Sequence, residues 1–219
     1  MRRWSGLILA AAMGLAAGVA SAEDDAETTE RAAKFTVDGP VLVYDTATLD
    51  DYPDAEVDHG DHKELRRLLR ANPDITTLRL NSHGGRVYAG FRMADIVIDF
   101  GLKTVVDGVC SSSCVYVFLG GTSRQMTGGS RIGFHHRTWD AGDLQAYYDR
   151  WRKDEGWTTL FDFAAWLFVD TQQESYEELQ FYLERGVTAD FAIKTMKVRE
   201  EDMWYPRRSE LRAAGILRD

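Results

Sequence analysis

The chain has 219 residues, 44% of them hydrophobic and 28% charged, with only 4 Pro, a composition that fits one folded domain and not a disordered chain. Two Cys cannot build a disulfide scaffold. With 35 acidic against 26 basic residues and a net charge of −9, a general nucleic-acid binder is excluded.

Arg2 and Arg3 precede an apolar run from Leu7 to Ala20, and Ala20-Ser21-Ala22 has the small residues a signal peptidase accepts. Residues 1–22 therefore read as a cleaved secretory signal, with an uncleaved anchor as the alternative. Cleavage removes two Arg and no acid, taking the net charge from −9 to −11. The mature protein is expected to be periplasmic or extracellular, without a stable membrane span and away from the cytosolic nucleotide pool. Residues 23–34 are acidic and polar and read as a mobile leader; the domain is expected over 35–219.

Val41-Leu42-Val43-Tyr44 is rich in β-formers and predicts a first strand. Asp61 and Glu64 have capping-box spacing ahead of a helix through Leu65, Leu68 and Leu69, which Asn72-Pro73 stops. Thr76 to Leu80 alternates as a strand, Asn81 to Gly85 makes a tight loop, and Phe91, Ala94, Val97 and Ile98 mark the apolar face of the next helix. The unit then repeats, with strand Thr104–Val106, loop Gly108–Ser112 and an apolar helix Cys114–Leu119. A short strand, Arg131-Ile132-Gly133-Phe134, delivers His135 and His136. From about 143 to 197 the pattern is helical and unusually rich in aromatics (Trp157, Phe161, Phe163, Trp166, Phe168), a packing feature first and a partner surface second. Glu210 to Ile216 reads as a closing helix stopped at Gly215, before a last short strand. Strands alternating with crossover helices predict an α/β fold: a layered, mainly parallel sheet with a helical segment after the histidine.

Three loops thus converge on one face: Gly84-Gly85, Ser111-Ser112-Ser113 and the strand end at His135. A serine hydroxyl needs a base to take its proton, a carboxylate to orient that base and backbone N–H groups for the oxyanion. Asn81-Ser82-x-Gly-Gly, then Gly108-x-Cys-Ser-Ser112-Ser-Cys, then Arg131-x-x-Phe-His135 resemble, in order and spacing, the motifs of the Clp protease proteolytic subunit and its secreted relatives in the Clp/crotonase superfamily. The resemblance implies Ser112 as nucleophile, His135 as general base, and the amides of Gly85 and Ser113 as oxyanion hole. It implies Asp202, in Glu201-Asp202-Met203-Trp204, as the third member of the triad, with Asp190 and Glu201 as other possible orienters. It covers residues 76–137 well and 198–217 loosely. His83 stands where the family usually has proline, two Cys bracket the serine, and nothing resembles the segments that dock an ATP-driven unfoldase.

The function so implied is that of a serine peptidase acting on peptides or unfolded protein, ATP-independent, without cofactor or metal, and assembled as a homo-oligomer. The plainer readings are a helix N-cap at Ser111–Ser113, a side-chain-free turn at Gly84-Gly85, a solvated acidic run at 200–202 and a structural His136. His59-Gly-Asp-His62 has too few donors for a closed metal site. A catalytically inactive fold that binds a peptide or acyl group is the main alternative; a Ser/Lys dyad would need Lys103 or Lys153 in the cleft. Cys110 and Cys114 are four apart, too far for an easy bridge in a regular helix, but Cys110 precedes the helix, so a disulfide through the turn is expected, with two buried free thiols as the alternative.

Overall fold

The computed structural model describes residues 27–52 and 55–219; the signal segment 1–22 and the first residues of the leader lie outside them. Among the described residues a six-stranded sheet runs in the order β1 (Phe35–Asp38), β2 (Val41–Asp45), β3 (Thr77–Ser82), β4 (Lys103–Ser111) and β5 (Arg124–Met126), with β6 (Arg131–Gly133) also on β4. Only β1 is antiparallel to its neighbour; every other pair is parallel. Parallel neighbours need crossovers, and the sequence supplies them as α1 (Asp61–Ala71), α2 (Val87–Asp99) and α3 (Ser113–Leu119). The fold is the α/β arrangement that the alternation of elements predicts.

Burial follows the pattern that builds these elements. Leu42, Tyr44, Leu78 and Leu80 alternate inward along β2 and β3, while Leu65 and Leu69 of α1 and Met93, Ala94 and Val97 of α2 face the same core. Every residue of α3 is buried, so the helix that follows the serine is clamped on all sides. Gly90 of α2 permits this approach: a methyl group there would fall 2.7 Å from the Ser113 carbonyl oxygen.

Several expectations need correction. The capping box does not form; Gly60 is the N-cap of α1, and Asp61 is wholly buried instead. Its carboxylate accepts from the Tyr44 hydroxyl at 2.7 Å and the Asp58 amide at 2.9 Å and faces Lys34 at 3.6 Å. Residues 27–33, counted with the leader, are helical, and Lys34 is buried against Asp61 and the Glu56 carbonyl. Residues 108–111, read as loop, continue β4, because Val109–Ser111 pair with Arg131–Gly133. Ile98, placed on the apolar face of α2, is exposed.

The helical region comprises α4 (Ala141–Trp151), α5 (Leu160–Glu184) and α6 (Ala189–Thr195). Tyr147, Tyr148, Trp157, Phe163 and Trp166 pack ring against ring, with Trp157 centred 4.8 Å from both Phe163 and Trp166. Thr159 caps α5 through a reciprocal box with Asp162. The chain closes with α7 (Arg208–Ala213), the left-handed Gly215 after it, and a bridge of Arg218 to Arg124 in place of a last strand. No described helix is long and apolar enough to cross a membrane.

Candidate active site

Ser112 occupies the turn from β4 into α3 with φ 53° and ψ −129°, and it is the one described non-glycine residue with positive φ. An L-residue is held there only when its surroundings over-determine it, and such strain concentrates where a side chain must be presented. A strand-to-helix turn of this kind lifts a serine hydroxyl off the end of a sheet. Ser111 and Ser113 are buried and their hydroxyls have no hydrogen-bond partner, whereas Ser112 is partly exposed. Burial therefore separates Ser112 from its neighbours, which motif register alone had done in the sequence.

The glycine loop is fitted against this turn. A methyl group on Gly84 would lie 2.6 Å from the Ser111 carbonyl oxygen and 2.7 Å from Ser112 Cβ, and one on Gly85 would lie 2.5 Å from the Val57 carbonyl oxygen. Both glycines also have positive φ, at 104° and 142°. The Ser82 hydroxyl accepts the Gly84 amide at 3.1 Å and is itself held by Thr46 at 2.7 Å. Val57 pairs with Gly85 as an isolated parallel bridge, donating to the Gly84 carbonyl at 2.8 Å and accepting from the Arg86 amide at 2.7 Å. A residue bridged through its two neighbours turns its own N–H away from the partner strand. The Gly85 amide accordingly has no acceptor among the described residues, nor does the Ser113 amide at the first position of α3. Two unpaired N–H groups next to a strained serine are the donors an oxyanion needs.

His135 follows β6 and is fixed by its neighbours. Phe134 exchanges two backbone hydrogen bonds of 2.9 Å with Trp204, and the His136 amide donates to the Val198 carbonyl at 2.7 Å. His136 is thereby part of the backbone frame. His135 Nδ1 is buried without a hydrogen-bond partner, and no hydrogen bond joins the ring to Ser112. Asp202 stands on a short 3-10 turn with its side chain 70% exposed, facing Arg199 at 4.0 Å, and makes neither a hydrogen bond nor an ion pair with His135. Glu201 pairs with Arg199, and Asp190 is an exposed residue in the first turn of α6. The structure thus brings the glycine loop and Ser112 together and places none of the three acids on His135.

Lys103 opens β4 at the far end from Ser112, and Lys153 is exposed beyond α4. Neither supplies an ammonium to the turn. Cys110 and Cys114, both wholly buried, are joined across Ser112, with their Cα atoms 5.3 Å apart. The ends of the serine turn are covalently tied. His59 and His62 both approach the ring of Tyr88, and among the described residues no group of three or more His, Cys, Asp or Glu is arranged to hold a metal.

Sequence reasoning missed the supports of the site. The pairing of Val57 with Gly85 and the Ser82 hydroxyl under Gly84 leave no local pattern. Buried Tyr116 and Glu178 and the half-buried Arg137 join three distant segments. Glu178 is 2% exposed, and burial pushes its carboxyl above the usual range against the pull of Arg137.

No protein-family model and no curated protein matches the chain. Solved structures do. ClpP1 from Listeria monocytogenes superposes with a TM-score of 0.51 at 16% identity, over 82% of this chain and 89% of that one. A mutant of ClpP1 from the same organism gives 0.48 at 18% identity, over 74% and 84%. At such identity the likeness speaks for the fold alone, and the fold of this chain is the parallel α/β sheet with crossover helices that the first of these structures also has.

Proposed function

We propose that the protein is an exported, ATP-independent serine hydrolase, a peptidase acting on peptides or unfolded protein. The observation that carries this reading is the left-handed Ser112 between two unpaired amides. Ser112 Oγ attacks the substrate carbonyl carbon and passes its proton to His135. The amides of Gly85 and Ser113 receive the oxyanion, and His135 returns the proton to the departing amine. Water then repeats the sequence to release the acyl group. Catalytic hydrogen bonds are often long in unliganded enzymes and tighten with substrate, so a separated Ser112 and His135 are compatible with this role. Export rests on the basic, apolar and small-residue segments of the first 22 residues. Assembly with further copies is supported by α5, where Phe161, Phe168, Tyr176 and Leu183 are exposed on one helical face.

The second reading, an inactive fold that binds peptide or acyl groups, is favoured by the unpartnered Nδ1 of His135. Treatment of the purified mature chain with a fluorophosphonate separates the two. Labelling of Ser112 that disappears in Ser112→Ala supports the hydrolase; an unlabelled wild type supports the binding module.

A further inference from the structure

The geometry points to Glu178 as a positioning residue for His135, acting through Arg137 and Tyr116. The inference rests on the hydrolase reading for its consequence in catalysis, but not for its structural content.

His135 is located by what holds the chain on either side of it. The Gly133 carbonyl accepts from the Ser112 amide, Phe134 is bridged to Trp204, and the His136 amide is bonded to Val198. The next residue, Arg137, is fixed through its side chain. Its Nε lies 3.0 Å from Glu178 Oε2 and its Nη1 lies 3.2 Å from Glu174 Oε2, one turn apart on α5. The guanidinium also lies over the ring of Phe91 at 5.4 Å. The other oxygen of Glu178 accepts from the Tyr116 hydroxyl at 2.8 Å, and Tyr116 stacks on Phe91 at 4.2 Å. Tyr116 is one turn along α3 from Ser112.

One buried carboxylate therefore joins the helix that starts at the serine to the segment that carries the histidine. Glu178 is also one of only three buried residues of α5, the others being Phe163 and Tyr182. An apolar side chain would anchor that helix at least as well, because a buried ion pair offers little stability over packed hydrophobic groups. What it does offer is a fixed distance between two elements: Arg137 Nε and Glu178 Oε2 face each other as an ion pair without a hydrogen bond between them, while the other carboxylate oxygen is hydrogen-bonded to Tyr116. His135 has no hydrogen bond of its own at Nδ1, so its placement depends on these flanking anchors.

The test compares wild type, Glu178→Gln and Tyr116→Phe as full-length mature protein. Three quantities are read: the fluorophosphonate labelling rate of Ser112, the imidazole carbon–proton chemical shift of His135, and the thermal midpoint. In folded Glu178→Gln we expect a displaced His135 resonance and labelling slower by about tenfold or more, since small misplacements of catalytic groups cost one to two orders of magnitude. Tyr116→Phe should show a smaller displacement of the same sign. A lowered midpoint with an unchanged His135 resonance and labelling within about twofold of wild type would overturn the proposal, because a purely structural anchor gives that result. If Glu178→Gln does not fold, Tyr116→Phe decides alone, and an unmoved resonance there overturns it. A wild type that never labels, with a resonance that still moves in Glu178→Gln, refutes the hydrolase and sustains the positioning role.

Discussion

The backbone N–H of Ser112 donates to the carbonyl of Gly133 at 3.1 Å, so the serine turn hangs from the strand that delivers His135. Because β6 pairs with the last residues of β4, Ser112 and the residues before His135 share one ladder. A change in the register of that pairing moves both groups together.

The left-handed backbone of Ser112 makes a prediction about stability that is separate from chemistry. Ser112→Gly and Ser112→Ala should both abolish labelling, but Ser112→Gly relieves strain on the order of 1–3 kcal/mol that Ala retains. Glycine's greater loss of chain entropy returns about 0.5–1 kcal/mol of that. The Gly variant should therefore be the more stable of the two by about 1 kcal/mol in urea unfolding. Equal midpoints would mean that the turn is not strained.

Gly84→Ala should be severe. Its methyl group meets the Ser111 carbonyl oxygen and Ser112 Cβ inside contact distance, at a residue whose φ already disfavours a side chain. Overpacking of this kind costs about 1–3 kcal/mol. The displaced turn should also lose most of its labelling by the fluorophosphonate, at temperatures where circular dichroism shows a folded variant. Wild-type labelling in folded Gly84→Ala would show that the loop and the serine do not work as a unit.

The β-loop-α units were legible because glycine and serine turns interrupt two clear periodicities, one of about 2 along residues 76–80 and one near 3.6 along the following helix. The same local signals failed at β4, where Gly108 reads as a loop. In the structure that glycine lets the strand pass the Asn81 side chain, and Asn81 accepts from the Val109 amide at 2.9 Å. Asp61 failed for the opposite reason. Its spacing to Glu64 suits a cap, but a Tyr44 hydroxyl and a Lys34 ammonium, both remote in sequence, draw it inward. Asp202 was placed by motif similarity in the weakest stretch of the resemblance, and its carboxylate faces solvent.

That exposure gives Asp202→Asn a small expected effect. An exposed carboxylate whose ion-pair partner is Arg199 at 4.0 Å, and which makes neither a hydrogen bond nor an ion pair with His135, should leave the labelling rate within about twofold of wild type. A loss of tenfold or more in a rapid-mixing labelling assay would put the carboxylate on His135 in the working state.

Asp61 should leave a mark on the pH dependence of stability. Burial raises its carboxyl above the ordinary value, outweighing Lys34, the Asp58 amide and Tyr44. An acid with a raised folded pKa binds its proton more tightly when folded. Its contribution is fully present below the unfolded value of about 3.9 and is lost as pH rises through the folded one. Asp61→Asn cannot ionise, so its unfolding free energy should fall less than that of wild type over that interval in a urea series. Parallel curves would remove Asp61 from the account.

The disulfide across the Ser112 turn yields the last prediction. A bridge between Cys110 and Cys114 closes a very short loop, so it constrains the unfolded chain little and should add little global stability. Its effect is local: β4 ends and α3 begins within the loop, and the Ser113 amide lies inside it. The Cys110→Ser/Cys114→Ser protein should fold with a thermal midpoint within a few degrees of wild type, while Ser112 labels more slowly because the turn is no longer held at its strained angles. Intact mass after alkylation under denaturing, non-reducing conditions reports the bridge directly, and wild type should take up no alkyl group. Two alkyl groups on protein from the native compartment would refute the bridge. Undiminished labelling in the double variant would show that packing around α3, which is buried along its whole length, suffices to hold Ser112.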